Sequence, residues 1–427
     1  FQGGNAGGWG SPVISDGHVF VYSHTKIQTG EPGEKKYPWL APDKRVGMTD
    51  QEYQEYEVKR RAEDERRAKA YRFEQRLLCL SLKTGEVIWD KRTPGVYTRF
   101  VQSGTPCVAD GKVFILGPER TAFCHDASTG EVIWQQRLPG DFRDDFFASW
   151  FAVSDDVALV ACGPLYALNV EDGRILWNGD AKPDYSSHSS PVVWRTDQGR
   201  IAICNTFGGR TQAYRVDDGE KIWELPTGVG QSSPIVVDDL LLTYGSSRKN
   251  GLTAFRLNAD APSKQPEQVW QFRGAADSGS TPVVRRGHVF VQGEKRVAKI
   301  NLRDGKRIWQ TTMQISTPRY TSLIAAGDQV FYGWEGILSF DAEADRYQEN
   351  YDAEIDSDGV LIGGEELRAK LNLAEIEKAD GGLAKAESIW QKNAVRSGPL
   401  KCCTPAAADG RLVIRLNDAL VCYDLRE

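Results

Sequence analysis

No apolar run in the 427-residue chain approaches the ~18 residues that a membrane-spanning helix needs. Basic surplus is also missing. The formal net charge is −6, so the basic surface that a nucleic-acid partner would favour is not expected. Eight cysteines occur without a C-x-x-C pair or a C-x-x-C-H run, which excludes the common structural zinc and c-type haem patterns. G-x-S-x-G, H-E-x-x-H and the P-loop are absent too. The chain opens at Phe1 rather than Met, as a processed or trimmed chain does. A removed signal peptide or lipid anchor is left open.

What the chain does have is a repeated phrase. Thr84-Gly85-Glu86-Val87-Ile88-Trp89 and Thr129-Gly130-Glu131-Val132-Ile133-Trp134 are two copies of it. Further copies end at Trp177, Trp223 and Trp309, and weaker ones at Trp270 and Trp390. In chain order these Trp residues stand 45, 43, 46, 47, 39 and 81 apart. A period near 40 to 50 residues marks a repeat architecture, in which repeated units share one closed structure. The length therefore does not call for several domains, and residues 1–427 are read as one.

Each unit also has a Ser/Thr-Pro or similar pair leading into an apolar run. The pairs are Ser11-Pro12, Thr105-Pro106, Ser149-Trp150, Ser190-Pro191, Ser233-Pro234, Thr281-Pro282, Thr321-Ser322 and Thr404-Pro405. Between Thr105 and Trp134 lie four short strand patterns joined by turns, including Asp110-Gly111. Four short antiparallel strands per unit and eight starts predict an all-β, eight-bladed propeller. The repeat Trp residues are expected to seal blade against blade. Cys79, Cys124 and Cys422 share a slot that Ala167 and Ala213 fill elsewhere, so they are expected to be small buried apolar groups.

The last unit supplies three strand patterns and stops. The Gly-rich residues 1–10 are expected to finish its blade and remove the exposed edge. Two insertions interrupt the rhythm. Residues 24–76 include a mixed-charge helix pattern opened by an N-cap at Thr49. It is read as a solvated helix or as a partner-docking arm. Residues 342–385 hold a second helical pattern, expected between the third and fourth strands of the seventh blade and so on the face opposite the first.

The run from Leu165 to Trp177 reads Leu-Tyr-Ala-Leu-Asn-Val-Glu-Asp-Gly-Arg-Ile-Leu-Trp. It resembles the repeat of the pyrroloquinoline-quinone-like (PQQ-like) propeller family. That family includes quinoprotein dehydrogenases, and it includes the outer-membrane assembly factor BamB, a non-enzymatic scaffold. The resemblance covers nearly the whole chain apart from the insertions and implies the fold more firmly than the function. It implies an extracytoplasmic, periplasmic setting and loops gathered around a central funnel.

On that mapping the funnel rim carries Arg143, Asp144, Asp145, His188, Gln231, Asp277, Arg319, Tyr320, Trp334, Glu335, Cys402 and Cys403. His18 and His288 each precede Val-Phe-Val in a hairpin and are expected to be structural. Cys402-Cys403 is open to three readings, namely two free thiols, a strained adjacent disulfide, or a cofactor contact like that of methanol-dehydrogenase-like quinoproteins. A PQQ site would also need calcium held by several oxygen ligands, a base and a basic residue near the quinone, and no motif ties the rim charges together. The expected function is a non-catalytic propeller that docks a protein or peptide, similar to BamB. The alternative is a quinoprotein-like oxidoreductase using PQQ and calcium. Sugar binding by stacking on Trp334, Tyr320 and Phe146 is a third reading.

Overall fold

The Gly of the repeated phrase meets a backbone requirement. Gly130 has φ +74° and Gly173 φ +73°, left-handed values that disfavour a side chain. Each such turn folds the third strand of a unit back into its fourth. The computed structural model describes residues 8–97, 104–140, 149–180, 188–206, 208–315, 320–395 and 398–426, the Pro42 side chain aside. The strands form eight antiparallel up-and-down sheets, the blades of an eight-bladed propeller. The second blade is typical, with strands Cys107–Ala109, Lys112–Leu116, Thr121–Asp126 and Val132–Arg137.

The blades hold together through their faces. Eight apolar clusters each join two neighbouring blades. In the one between first and last, Val19, Val21, Leu78 and Leu80 meet Val413. A repeat Trp seals the outer part of each of the six seams between the first and seventh blades. Trp134 lies over Gly173 of the next blade, and its indole N–H donates to Val170 O at 2.8 Å. The same bond runs from Trp89 to Ala127 O (3.0 Å), Trp177 to Val216 O (2.7 Å) and Trp270 to Leu302 O (3.0 Å). One register shift follows the partner of each Trp, as between Ala167 and Leu168, and such bulges add local twist.

An inner belt of hydrogen bonds closes the ring. The Ser11 N–H donates to Thr105 Oγ1 (3.1 Å) and the Trp150 N–H to Ser190 Oγ (3.0 Å). From there the belt passes through Ser233 (2.9 Å), Thr281 (3.0 Å), Ser322 (2.9 Å) and Thr404 (3.4 Å). It returns from the Thr404 N–H to Ser11 Oγ at 2.9 Å. Each link contributes about 1 kcal/mol net. At Trp150 the slot holds an indole instead of a hydroxyl, so the Thr105 N–H meets no hydroxyl there.

Among the described residues the last blade has three strands, Ala406–Ala408, Arg411–Arg415 and Leu420–Asp424. The expected fourth strand falls on residues 1–10, of which 1–7 lie outside the described residues. Next to them, Gly10 is clamped by Arg415, which donates to Gly10 O and, at 3.1 Å, to Tyr22 O. Cys422 departs from expectation. Its slot-mates Cys79 and Cys124 are buried, whereas Cys422 is exposed.

The first insertion joins two long strands, His18–Gln28 and Tyr71–Ser81, so it is confined to residues 29–70. Its helix, Asp50–Ala68, opens on a capping box between Thr49 and Glu52. The helix is not simply solvated. Arg60 is 1% exposed and is gripped by Glu57 (2.6 Å) and Asp64 (3.0 Å). Glu63 accepts the N–H groups of Lys36 (2.9 Å) and Tyr37 (2.7 Å), which pins the preceding loop to the helix.

The second insertion lies elsewhere than expected. Ser339 pairs with Tyr351, so Tyr351 occupies the register position that Trp holds in other blades. The fourth strand of the seventh blade is therefore Glu349–Ile355, and Trp390 closes no blade but ends the helix Gly382–Trp390. Helices Gly364–Lys370, Leu373–Glu377 and Gly382–Trp390 follow that strand. They form the connection from the seventh blade to the eighth. In an up-and-down sheet, connections leaving the fourth strand share a face with those between the second and third. Both insertions thus rise on the same face, not on opposite ones.

Glu354, in that fourth strand, is expected to make stability depend on pH. Burial, with Glu335 and Asp352 nearby, pushes its carboxyl up to about 7 from 4.5. A folded-state value above the unfolded one favours folding least where the unfolded chain is already ionised. Stability should fall as pH rises from about 4.5 to about 7 and then level. Glu354→Gln should stabilise by roughly 1 kcal/mol at pH 8 and change little at pH 4, read as Tm.

Candidate functional site

The face that carries both insertions also carries the mouth of the central funnel, a cavity of about 530 Å³. Its floor is the hydroxyl belt, with Ser11, Thr105, Ser233, Thr281, Ser322 and Thr404 in the lining. Each of these oxygens accepts one backbone N–H, which leaves its own O–H to donate into the cavity. The walls add Trp9, Trp150 and Tyr320, with His188, Gln231, Lys401 and Cys402. Among the described lining residues Lys401 is the single full charge, and none is a carboxylate.

Four of the expected rim residues come together here. The His188 N–H donates to Gln231 Oε1 at 3.0 Å, and the Gln231 N–H donates to Ser278 O at 2.6 Å, which ties neighbouring rim loops. Burial pushes the His188 imidazole down to about 4, so it is neutral at ordinary pH. Tyr320 is 41% exposed and holds a left-handed φ of +62°. Its ring lies over Gly279, where a Cβ would fall 1.7 Å from Tyr320 Cδ1, so only glycine fits there. Cys402, with φ +68°, lines the cavity.

Other expectations land elsewhere. Asp277 Oδ1 accepts the N–H groups of Gly279 (2.8 Å) and Ser280 (2.7 Å), so its carboxylate shapes the loop and is not part of the lining. Trp334 packs against the cluster between sixth and seventh blades, and the Glu335 carbonyl sits against Gly398. Neither lines the funnel, so of the proposed stacking trio Tyr320 alone is there among the described residues. Phe146, Arg143, Asp144, Asp145 and Arg319 lie outside the described residues.

Neither Cys402 nor Cys403 is in a disulfide. Cys403 is buried away from the cavity, and its thiol donates to Trp9 O at 3.2 Å. Burial pushes it up to about 12, a protonated, unreactive group. Alkylation of the native protein, followed by mass spectrometry, should modify Cys422 and Cys402 and spare Cys403, Cys79 and Cys124 until unfolding. Early modification of Cys403 would contradict the clamp.

Trp9, Trp150, Lys401 and the hydroxyl floor were not anticipated. Trp150 was visible as the odd member of the Ser/Thr-Pro series, and the hydroxyls were visible only as strand starts. A calcium-bound quinone would need oxygen donors that the described residues do not group together. Among the described residues no group of three or more His, Cys, Asp or Glu side chains can hold a metal, and no lining oxygen belongs to a carboxylate. Calcium takes six to eight oxygen ligands, carboxylates prominent among them, and the described lining does not supply that set.

The fold and its Trp-sealed seams define the class, that of PQQ-like propellers. Within it, the chain belongs to the family described as "Outer membrane protein assembly factor BamB", whose model matches residues 73–259 and 261–342. It is similar to the outer membrane protein assembly factor BamB of Shewanella oneidensis, 28% identical over 183 residues, 40% of this chain and 43% of that one. It is also similar to the quinoprotein alcohol dehydrogenase PedH of Pseudomonas putida, 28% identical over 117 residues, 26% of this chain and 18% of that one. The chain spans less than half the length of either relative. In fold it resembles a europium-containing methanol dehydrogenase, with TM-score 0.54, 12% identity, and 86% and 82% of the two chains covered. Among the described residues no helix is long and apolar enough to cross a membrane.

Proposed function

We propose that the protein is a non-catalytic binding propeller of the cell envelope, periplasmic or otherwise extracytoplasmic, that docks a protein or peptide segment in its funnel. The observation that carries this reading is the funnel's chemistry. Three aromatic side chains stand around a floor of hydroxyl donors, with one lysine and no described carboxylate. Such a surface suits a segment that offers apolar side chains to the walls and carbonyl or carboxylate oxygens to the floor. The paired insertions on the same face extend the contact area. Membership of the BamB family supports the same reading.

The test is a selection of displayed peptides on the immobilised protein, alongside reconstitution with PQQ and Ca²⁺. Enrichment of peptides that compete with one another for the funnel supports the proposal. A bound chromophore with dye-linked alcohol oxidation would replace it with the oxidoreductase alternative.

A further inference from the structure

The belt that closes the ring also gathers a set of donors around one place. Six of its hydroxyls line the funnel, from Ser11 round to Thr404. Each oxygen accepts a backbone N–H from the neighbouring blade, as Thr281 Oγ1 does from Ser233 at 3.0 Å and Ser322 Oγ from Thr281 at 2.9 Å. That bond fixes the oxygen, and the O–H stays free to turn into the funnel. Gln231 adds to the set. Its Oε1 is taken by the His188 N–H at 3.0 Å, which leaves its NH₂ group to donate. Lys401 is exposed and is the one full charge among the described lining residues.

A ring of donors discriminates between the groups it can hold. A peptide carbonyl is neutral and accepts along two lone pairs. A carboxylate carries a full charge and about four acceptor sites on two oxygens, so donors arriving from several blades are satisfied at once. Hydrogen bonds to an ionised acceptor are also stronger than neutral ones. The Lys401 ammonium attracts such a group and repels another ammonium, such as a chain's N-terminus. A chain end suits the shape as well. The funnel holds about 530 Å³, within the range of small-ligand pockets. A terminus enters it with one pass of backbone, whereas an internal segment must turn and leave again.

Building on the docking role proposed for the funnel, we propose that what it docks is the free C-terminus of a partner chain. The terminal carboxylate sits on the belt, accepts from its hydroxyls and from the Gln231 amide, and faces Lys401. The last side chain is apolar and packs on Trp150 and Tyr320, both in the lining. The Tyr320 ring is held for this by its left-handed turn and by its seat over Gly279. An Asp or Glu side chain inside a segment offers the same carboxylate, but it brings two arms of backbone into the funnel with it.

The test uses the full chain and two arrays of the same random pentapeptides, tethered through their N-termini. One array ends in free carboxylates and the other in carboxamides. Binding is expected on the acid array, enriched in peptides with an apolar last residue. In titration calorimetry each selected acid should bind about tenfold or more tighter than its own amide. Lys401→Gln should weaken the acid about tenfold and leave the amide unchanged, with Tm unaltered because Lys401 is exposed. Equal binding on both arrays would overturn the C-terminal assignment and leave a docking funnel in place. So would amide binders that depend on an Asp or Glu, since a side-chain carboxylate would then be the group held. Binding on neither array would overturn the docking role itself, and the C-terminal assignment with it.

Discussion

Trp309→Ala is expected to destabilise the protein by about 3–5 kcal/mol, the range for deleting a buried aromatic that leaves a cavity. Trp309 is 7% exposed and sits edge-on to Phe340 and Tyr347, with ring centroids 5.6 and 5.5 Å away. Its indole N–H donates to Ala344 O at 3.1 Å. Alanine removes the ring contacts, leaves a hole between the sixth and seventh blades, and takes one of two donors from that carbonyl, which keeps the Lys299 ammonium at 3.1 Å. Urea unfolding gives the measurement. A loss under about 1 kcal/mol would mean that the seams are held by their inner strands and that the Trp residues only cover them.

The second large effect is a contrast between two glycines of the same turn. Gly173 and Gly85 share φ +73°, so alanine at either position meets the same left-handed strain, about 1 kcal/mol. At Gly173 the new Cβ also strikes Trp134 at 2.4 Å, and overpacking adds about 1–3 kcal/mol. At Gly85 no atom of the described residues stands within 4 Å of the new Cβ. Gly173→Ala should therefore cost clearly more than Gly85→Ala by the same urea measurement. Equal losses would show that backbone strain alone sets the requirement for glycine at both positions.

The blades were legible in the sequence because one structural need recurs in each. A turn needs a Gly, and a seam needs a broad ring beside it. The period was lost where a different residue met that need. Tyr351 stands in register with Ser339, and the 81-residue gap to Trp390 was the sign that a blade had closed without Trp. Taking Trp390 for the closing residue shifted the insertion to the wrong connection and hence to the wrong face. The site was less legible because rim position does not fix side-chain direction. Asp277 looked like a free carboxylate, yet two backbone N–H groups use it. Trp334 looked exposed, yet it turns into a seam. Conversely, Ser233 and Thr281 read as strand starts, and only the closed ring shows their hydroxyls meeting around one floor.

In the function proposed, the funnel aromatics bind a peptide segment while the belt beneath them holds the ring. Trp150→Ser separates the two roles, since it removes an aromatic wall and places a hydroxyl in the one belt slot that lacks it. Titration calorimetry of a funnel-selected peptide against this variant, with Tm measured in parallel, is the direct test. Binding is expected to weaken by about tenfold or more with Tm unchanged or raised. Full-strength binding by the variant would contradict it.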